Sequence, residues 1–366
     1  MECVISKMAG RNGTKHEGCP VSGCNEGYGM NSLDRIKAAI GFEASDRVPV
    51  IAQVFGHTAI LAERNIRDYV QSGEVLAECQ LRALERYGYD AVFGVTDTNV
   101  ETEALGSEIV YRIEDYPYVR SHAFSKATNL ETVAVPNPRR AGRMAEILRA
   151  LKILRGELAD EVLVVGCILG PMTLATQLCG MENALYFAVD DPEGFERLLD
   201  FSVRVVVEYG KAQIEAGAHL PMVFDPSASQ AVVPPMFFKE LLLPRIKKVF
   251  TALQAAGAIA GWLHVAGPIT PVLPLFAQTG ANIVNFDYCV DPTDVLSLLR
   301  STCCNGNIKP LDFVEAGPEQ IVSDSMRLVE MFSDRGGFIL SSGCEIPPGA
   351  KAENIEALVS AVRGRR

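Results

Sequence analysis

The sequence predicts a (β/α)8 barrel of the α/β class, and three observations carry that expectation. Short apolar or β-branched runs recur eight times, amphipathic stretches separate most of them, and nearly every run ends on a residue able to do chemistry. Apolar strands alternating with helices imply parallel strands buried on both faces. Eight such units in one chain fit a closed barrel. An open doubly wound sheet is the architectural alternative.

The elements follow in order. Residues 1–30 are rich in Gly, Asn and small polar residues without periodicity, which predicts a mobile arm or capping extension. Cys19 and Cys24 in "GCPVSGC" are loosely spaced for a zinc knuckle, and no second pair follows. Residues 31–366 read as one barrel domain. Its runs are "RVPVIAQV" (47–54), "DAVFGVTD" (90–97), "VLVVGCILG" (162–170) and "LPMVFDPSAS" (220–229). They continue with "AIAGWLHVAG" (258–267), "NIVNFDYCVD" (282–291), "CCNGNIKP" (303–310) and "GFILSSGCEIPP" (337–348). Between them lie helical stretches such as "VLAECQLRALERYG" and "FERLLDFSVRVVVEYGKAQIEAG". Residues 106–122, "GSEIVYRIEDYPYVRSH", alternate with period two and predict a β-hairpin inserted after the second strand. Cys303, Cys304 and Trp262 sit inside strands and read as packing, whereas the basic "RRAGR" (139–143) reads as a solvated helix start.

Composition narrows the function. The 366 residues are 48% hydrophobic and 22% charged, enough to bury a large core. A net charge of −11 disfavours nucleic acid and anionic membranes, which want a basic face. No 18-residue apolar run is present to span a bilayer. The N-terminal residues lack the apolar core of a signal peptide, and ten cysteines then suggest reduced thiols in the cytoplasm.

In a parallel barrel the chemistry sits at the C-terminal ends of the strands. Those ends carry Asp97, Cys167, Asp225, His264, Asp287, Asn307 and Cys344, with His57 just past the first strand. Each has a plain structural reading. Asp225 and Asp287 could cap helices or loops, the thiols could be small buried hydrophobes, and His264 could be a satisfied core histidine. Together they point to a polar, possible metal-binding mouth.

From about residue 31 to 363 the chain resembles the uroporphyrinogen decarboxylase superfamily, and within it the corrinoid-dependent methyltransferases typified by the methylcobalamin:coenzyme M enzymes. The matching segments include "DRVPV" (46–50), "VTDTNVETEALG" (95–106), "GPMTLATQL" (170–178), "LHVAGPITPVLPLFAQTGANIVNFD" (263–287), "GNIKP" (306–310) and "SSGCEIPPGAKAENIEALVSAVR" (341–363). The resemblance implies a (β/α)8 barrel that exchanges a methyl group between a small substrate and the cobalt of a separate, transiently bound corrinoid protein. The substrate would be a methoxylated aromatic, another methylated compound or a thiol acceptor. The resemblance also implies zinc, held by a His-x-Cys on the fifth strand and a Cys after the eighth.

His264 and Cys344 match two of those ligands, but Ala266 stands where the middle Cys belongs. Asp225, Asp287 and Cys167 are the candidate third ligands. Asp97, Asp225 and His264 are then the catalytic candidates, and His57, Glu101, Asp287 and Asn307 the substrate contacts. A carboxylate in place of a thiolate would make zinc more electrophilic, which suits demethylation at oxygen. Two alternatives stay open. One is a decarboxylase, for which Asp97 matches that branch's catalytic aspartate although "IAQVFGHTAILAERN" lacks its paired arginines. The other is a metal-free binding barrel.

Overall fold

The computed structural model describes residues 29–363. The expected arm and its Cys19 and Cys24 lie almost wholly outside the described residues. In chain order the strands are β1 (Val50–Ile51), β2 (Ala91–Gly94), β3 (Glu108–Val110), β4 (Tyr118–Ser121) and β5 (Leu163–Leu169). After them come β6 (Leu220–Phe224), β7 (Trp262–His264), β8 (Ile283–Asn285), β9 (Cys303–Ile308) and β10 (Phe338–Ser342). Eight of them pair in parallel in the order β1, β10, β9, β8, β7, β6, β5, β2. That order is a walk around a circle. Its ends meet where the Asp90 amide, at the foot of β2, donates to the Val50 carbonyl at 2.8 Å. The result is a nearly closed barrel. β3 and β4 form a separate antiparallel pair after β2.

Alternation along each strand sends every second side chain inward. The lower interior is apolar and packed: Phe93, Val165, Met222, Trp262, Ile283 and Ile339 belong to one cluster. The helix Ser32–Gly41 closes the base by adding Leu33, Ile36 and Ala39 to that cluster. "DRVPV" explains itself there. Arg35 pairs with Asp46 at 2.6 Å, and Arg35 and Arg47 each reach the fully buried Asp90 at 2.7 Å. Asp90 also accepts from the Val50 amide at 2.7 Å, so one buried carboxylate ties the first two strands and the basal helix together.

One turn higher the interior changes character. Gln53, Ser341, Asn305, Asn285 and His264, each 0% exposed, line one side of the barrel, while Phe224 and Cys167 line the other. Register places His264 beside Asn285, and Asn285 beside Asn305. Buried polar groups on this scale need partners, and several here lack them.

Candidate functional site

A cavity of about 160 Å³ opens above this layer, at the C-terminal ends of the strands. Its floor is Phe55, Val95, Met222 and Phe224; Gln53, Thr96, Asn99 and Tyr116 supply polar atoms. Two carboxyls, Asp97 and Glu345, and two thiols, Cys167 and Cys344, complete its chemistry, and among the described residues no Lys, Arg or His lines it.

Of the residues expected from the sequence, Asp97, Cys167 and Cys344 reach the cavity. Asp97 is held by the guanidinium of Arg143, which also binds Glu103 at 2.6 Å, and the Asn99 amide donates to it at 2.8 Å. Arg143 is only 6% exposed, so the expectation of a solvated basic cluster fails at this residue. The cation is needed inside to balance two carboxylates. Burial pushes the Cys344 thiol up to about 12, and burial with the nearby Glu101 raises Cys167 further. Neither thiol is poised as a thiolate.

The other expected residues turn out to brace the rim. Asp225 accepts from the Thr173 amide and hydroxyl, both at 2.7 Å, and from the Met172 amide at 3.4 Å. It thereby caps the helix Pro171–Cys179, the one after the preceding barrel strand rather than its own. Burial raises its carboxyl to about 6. Asp287 accepts from the Gly267 amide at 2.8 Å and from the Tyr288 amide at 2.7 Å, linking the loops after β7 and β8. Asn307 donates to the carbonyls of Asp287 and Val290, at 3.2 and 3.0 Å. Glu101 accepts from the Leu169 amide at 2.8 Å, and burial pushes it up to about 7. His57 donates through Nδ1 to the Pro348 carbonyl at 3.1 Å, so its Nε2 accepts from the Tyr87 hydroxyl at 2.8 Å. Expected as a substrate contact, His57 instead pins the loop after β10.

His264 stands apart. It is fully buried, neither ring nitrogen has a hydrogen-bond partner, and burial drops its pKa to about 3. The Phe224 ring packs edge-on against it at 4.8 Å between centroids, separating it from the cavity that Phe224 lines. Among the described residues, no three His, Cys, Asp or Glu side chains are grouped to hold a metal ion. The reason is local. Ala266 offers a methyl group, and the carboxylates of Asp225 and Asp287 already serve backbone amides. The residues therefore do not fit the three-donor zinc set that His264 and Cys344 suggested.

Sequence reading missed Gln53, Tyr116, Phe224 and Glu345. Gln53 was detectable: a lone amide inside the run "RVPVIAQV" has no reason to be there if the strand is only packing. The Tyr116 hydroxyl donates to Glu345 and accepts from the Gly56 amide at 2.6 Å, carrying the tip between β3 and β4 onto the cavity. Burial lifts the Glu345 carboxyl to about 7. That long-range contact had no local signature.

The uroporphyrinogen decarboxylase (URO-D) family model matches residues 31–365. Methylcobamide:CoM methyltransferase MtaA of Methanosarcina barkeri is 27% identical over 89% of this chain and 96% of its own. The uroporphyrinogen decarboxylase of Novosphingobium aromaticivorans is 28% identical over 81% of this chain and 86% of its own. A solved methyltransferase from Methanosarcina mazei superposes with a TM-score of 0.82 at 26% identity, covering 91% of this chain and 98% of that one.

Proposed function

Because the chain belongs to the uroporphyrinogen decarboxylase family, whose similar members include both decarboxylases and methylcobamide methyltransferases, we propose that it is a methyltransferase. It exchanges a methyl group between a small molecule in the mouth cavity and the cobalt of a corrinoid presented by another protein. One observation carries the choice: among the described residues, the cavity is lined by two carboxyls and no cationic side chain. A porphyrinogen bearing eight carboxylates would find no cationic partner among these lining residues, and burying its carboxylates unpaired is prohibitive. The guanidinium that holds the lining residue Asp97, that of Arg143, is committed to Asp97 and Glu103.

Size supports the same reading. About 160 Å³ holds a small molecule but not a tetrapyrrole, so the corrinoid macrocycle stays outside. Its cobalt would approach over the open strand ends, and methyl transfer needs only that the methyl carbon face outward in line with it. The chain's own residues position the substrate. Phe55, Met222 and Phe224 exclude water from beneath it, Asn99 and Gln53 offer polar contacts, and Glu345 is held by Tyr116. The tip between β3 and β4 narrows the entrance from one side. With no three-donor seat for zinc, no step is assigned to it. Demethylation of an ether and transfer to a thiol remain as readings of the substrate, and the cavity's charge favours neither an anionic donor nor an anionic acceptor.

The test pairs two assays on the purified chain. Methyl exchange with free cob(I)alamin or methylcobalamin in the presence of candidate small substrates is expected, and carboxyl loss from uroporphyrinogen is not. Decarboxylation without methyl exchange would reverse the assignment.

A further inference from the structure

A cavity lined by two carboxyls and, among the described residues, by no Lys, Arg or His invites the question of what it attracts. Three aromatic rings, Phe55, Tyr116 and Phe224, line it, and Glu345 is a carboxyl there with a hydroxyl, not a cation, as its partner. Asp97 is neutralised by Arg143. A second observation points the same way. Gln53 is 0% exposed, and its amide nitrogen donates to the Ser341 hydroxyl and the Ser342 carbonyl at 3.2 and 3.1 Å. That fixes the amide orientation and leaves its Oε1, at the cavity, with no partner. The Thr96 hydroxyl, 3% exposed and also lining the cavity, is likewise unpartnered. Ring faces, an amide oxygen and a carboxylate all present negative potential. A net charge of −11 steers cations toward such a site.

We propose that the mouth cavity holds a small methylated cation, a quaternary ammonium or sulfonium compound, as the methyl donor. The proposal rests on the methyltransferase reading and adds the substrate class. It also accounts for Ala266. An ether or alcohol leaves as an anion and needs an electrophile on its oxygen, which is what zinc supplies. An onium compound leaves as a neutral amine or thioether. Co(I) of the partner corrinoid brings the electron pair that forms the cobalt–carbon bond; the carbon–nitrogen or carbon–sulfur pair departs with the heteroatom. The products are methyl-Co(III) and the neutral amine or thioether, and no proton moves. Such a reaction has no use for a third metal ligand.

Isothermal titration of the whole chain, with no cobalt present, separates this proposal from the methyltransferase reading. The probes are choline, its neutral carbon isostere 3,3-dimethylbutan-1-ol, and the anion 2-mercaptoethanesulfonate. Choline is expected to bind about tenfold tighter than the isostere, and the sulfonate not to bind. Glu345→Gln should weaken choline severalfold and leave the isostere unchanged. Phe224→Leu should weaken both, choline more, with thermal melts confirming that each variant folds. Equal affinity for choline and isostere, tighter binding of the sulfonate, or no heat with millimolar choline overturns the cation site. Choline binding with no methyl transfer to cob(I)alamin from any candidate donor would leave the cation site standing and overturn both its role as a donor site and the transferase reading.

Discussion

Two residues show how far a single position decides this molecule's chemistry. Ala266 lies two residues past His264, just beyond the end of β7, at the position where the resemblance implies a cysteine ligand. The nearby His264 imidazole has no hydrogen-bond partner on either nitrogen among the described residues, and a thiol at 266 would restore the His-x-Cys pair. The purified protein is therefore expected to carry far less than one zinc per chain, and Ala266→Cys to raise that content. Elemental analysis of both proteins checks it; stoichiometric zinc in the natural chain would contradict the reading of Ala266. Arg143 is the other residue. Its side chain and that of Asp97 are 6% and 4% exposed, and Glu103 shares the guanidinium. Arg143→Ala strands two carboxylates, and breaking a buried pair in this way costs about 3–5 kcal/mol. Urea unfolding should show a loss in that range, and a change under about 1 kcal/mol would mean water already screens the pair.

Among the elements, the strands were the most legible and the loops the least. The eight apolar runs read from the sequence map onto β1, β2 and β5 to β10 because barrel strands are buried on both sides and hide nothing from a hydropathy reading. β1 is shorter than its run, with only Val50–Ile51 laddered and Val54 bridging to Ile346 beyond it. Strand ends were legible as a set of residues but not as roles. Asp225 and Thr173 are far apart in sequence, so a cap between them leaves no local pattern. The same holds for His57 and Pro348. That contact makes the loop after β10 sensitive to acid. Burial holds the folded-state pKa of His57 below its ordinary value of 6.5. Its contribution is thus complete above pH 6.5 and is lost as pH falls below 6.5 toward and through the lower folded-state pKa, because the unfolded chain takes the proton first. Denaturation at pH 7.5 and 5.5 should show the natural chain losing more stability on acidification than His57→Gln; equal losses would remove His57 from the loop's support.

At the scale of the whole molecule, the barrel separates stability from function by end. The base is sealed by the Arg35–Asp90–Arg47 cluster and an apolar plug, and the opposite end carries the cavity. Large exposed apolar side chains occur in the segments that follow strands: Ile60, Ile113, Tyr288 and Leu311 are 50%, 55%, 53% and 49% exposed. Exposed apolar groups around a cavity mark a docking face. A partner that presents a corrinoid there should be sensitive to Tyr288→Glu and Leu311→Glu. Both are expected to slow transfer with a corrinoid protein about tenfold or more while leaving transfer with free cob(I)alamin intact. Equal loss with free cobalamin would assign those residues to the cavity rather than the docking face.

The central claim is that the methyl group changes hands in the cavity bounded by Phe55, Cys167, Phe224 and Glu345. Cys167→Phe tests it most directly, since the added ring fills that space from a partly exposed position on the barrel wall. The visible spectrum of cob(I)alamin, followed with a methyl donor present, reports the transfer. The natural chain should convert it to methylcobalamin, and a folded Cys167→Phe chain should not. Undiminished conversion by the filled barrel would place the chemistry somewhere else.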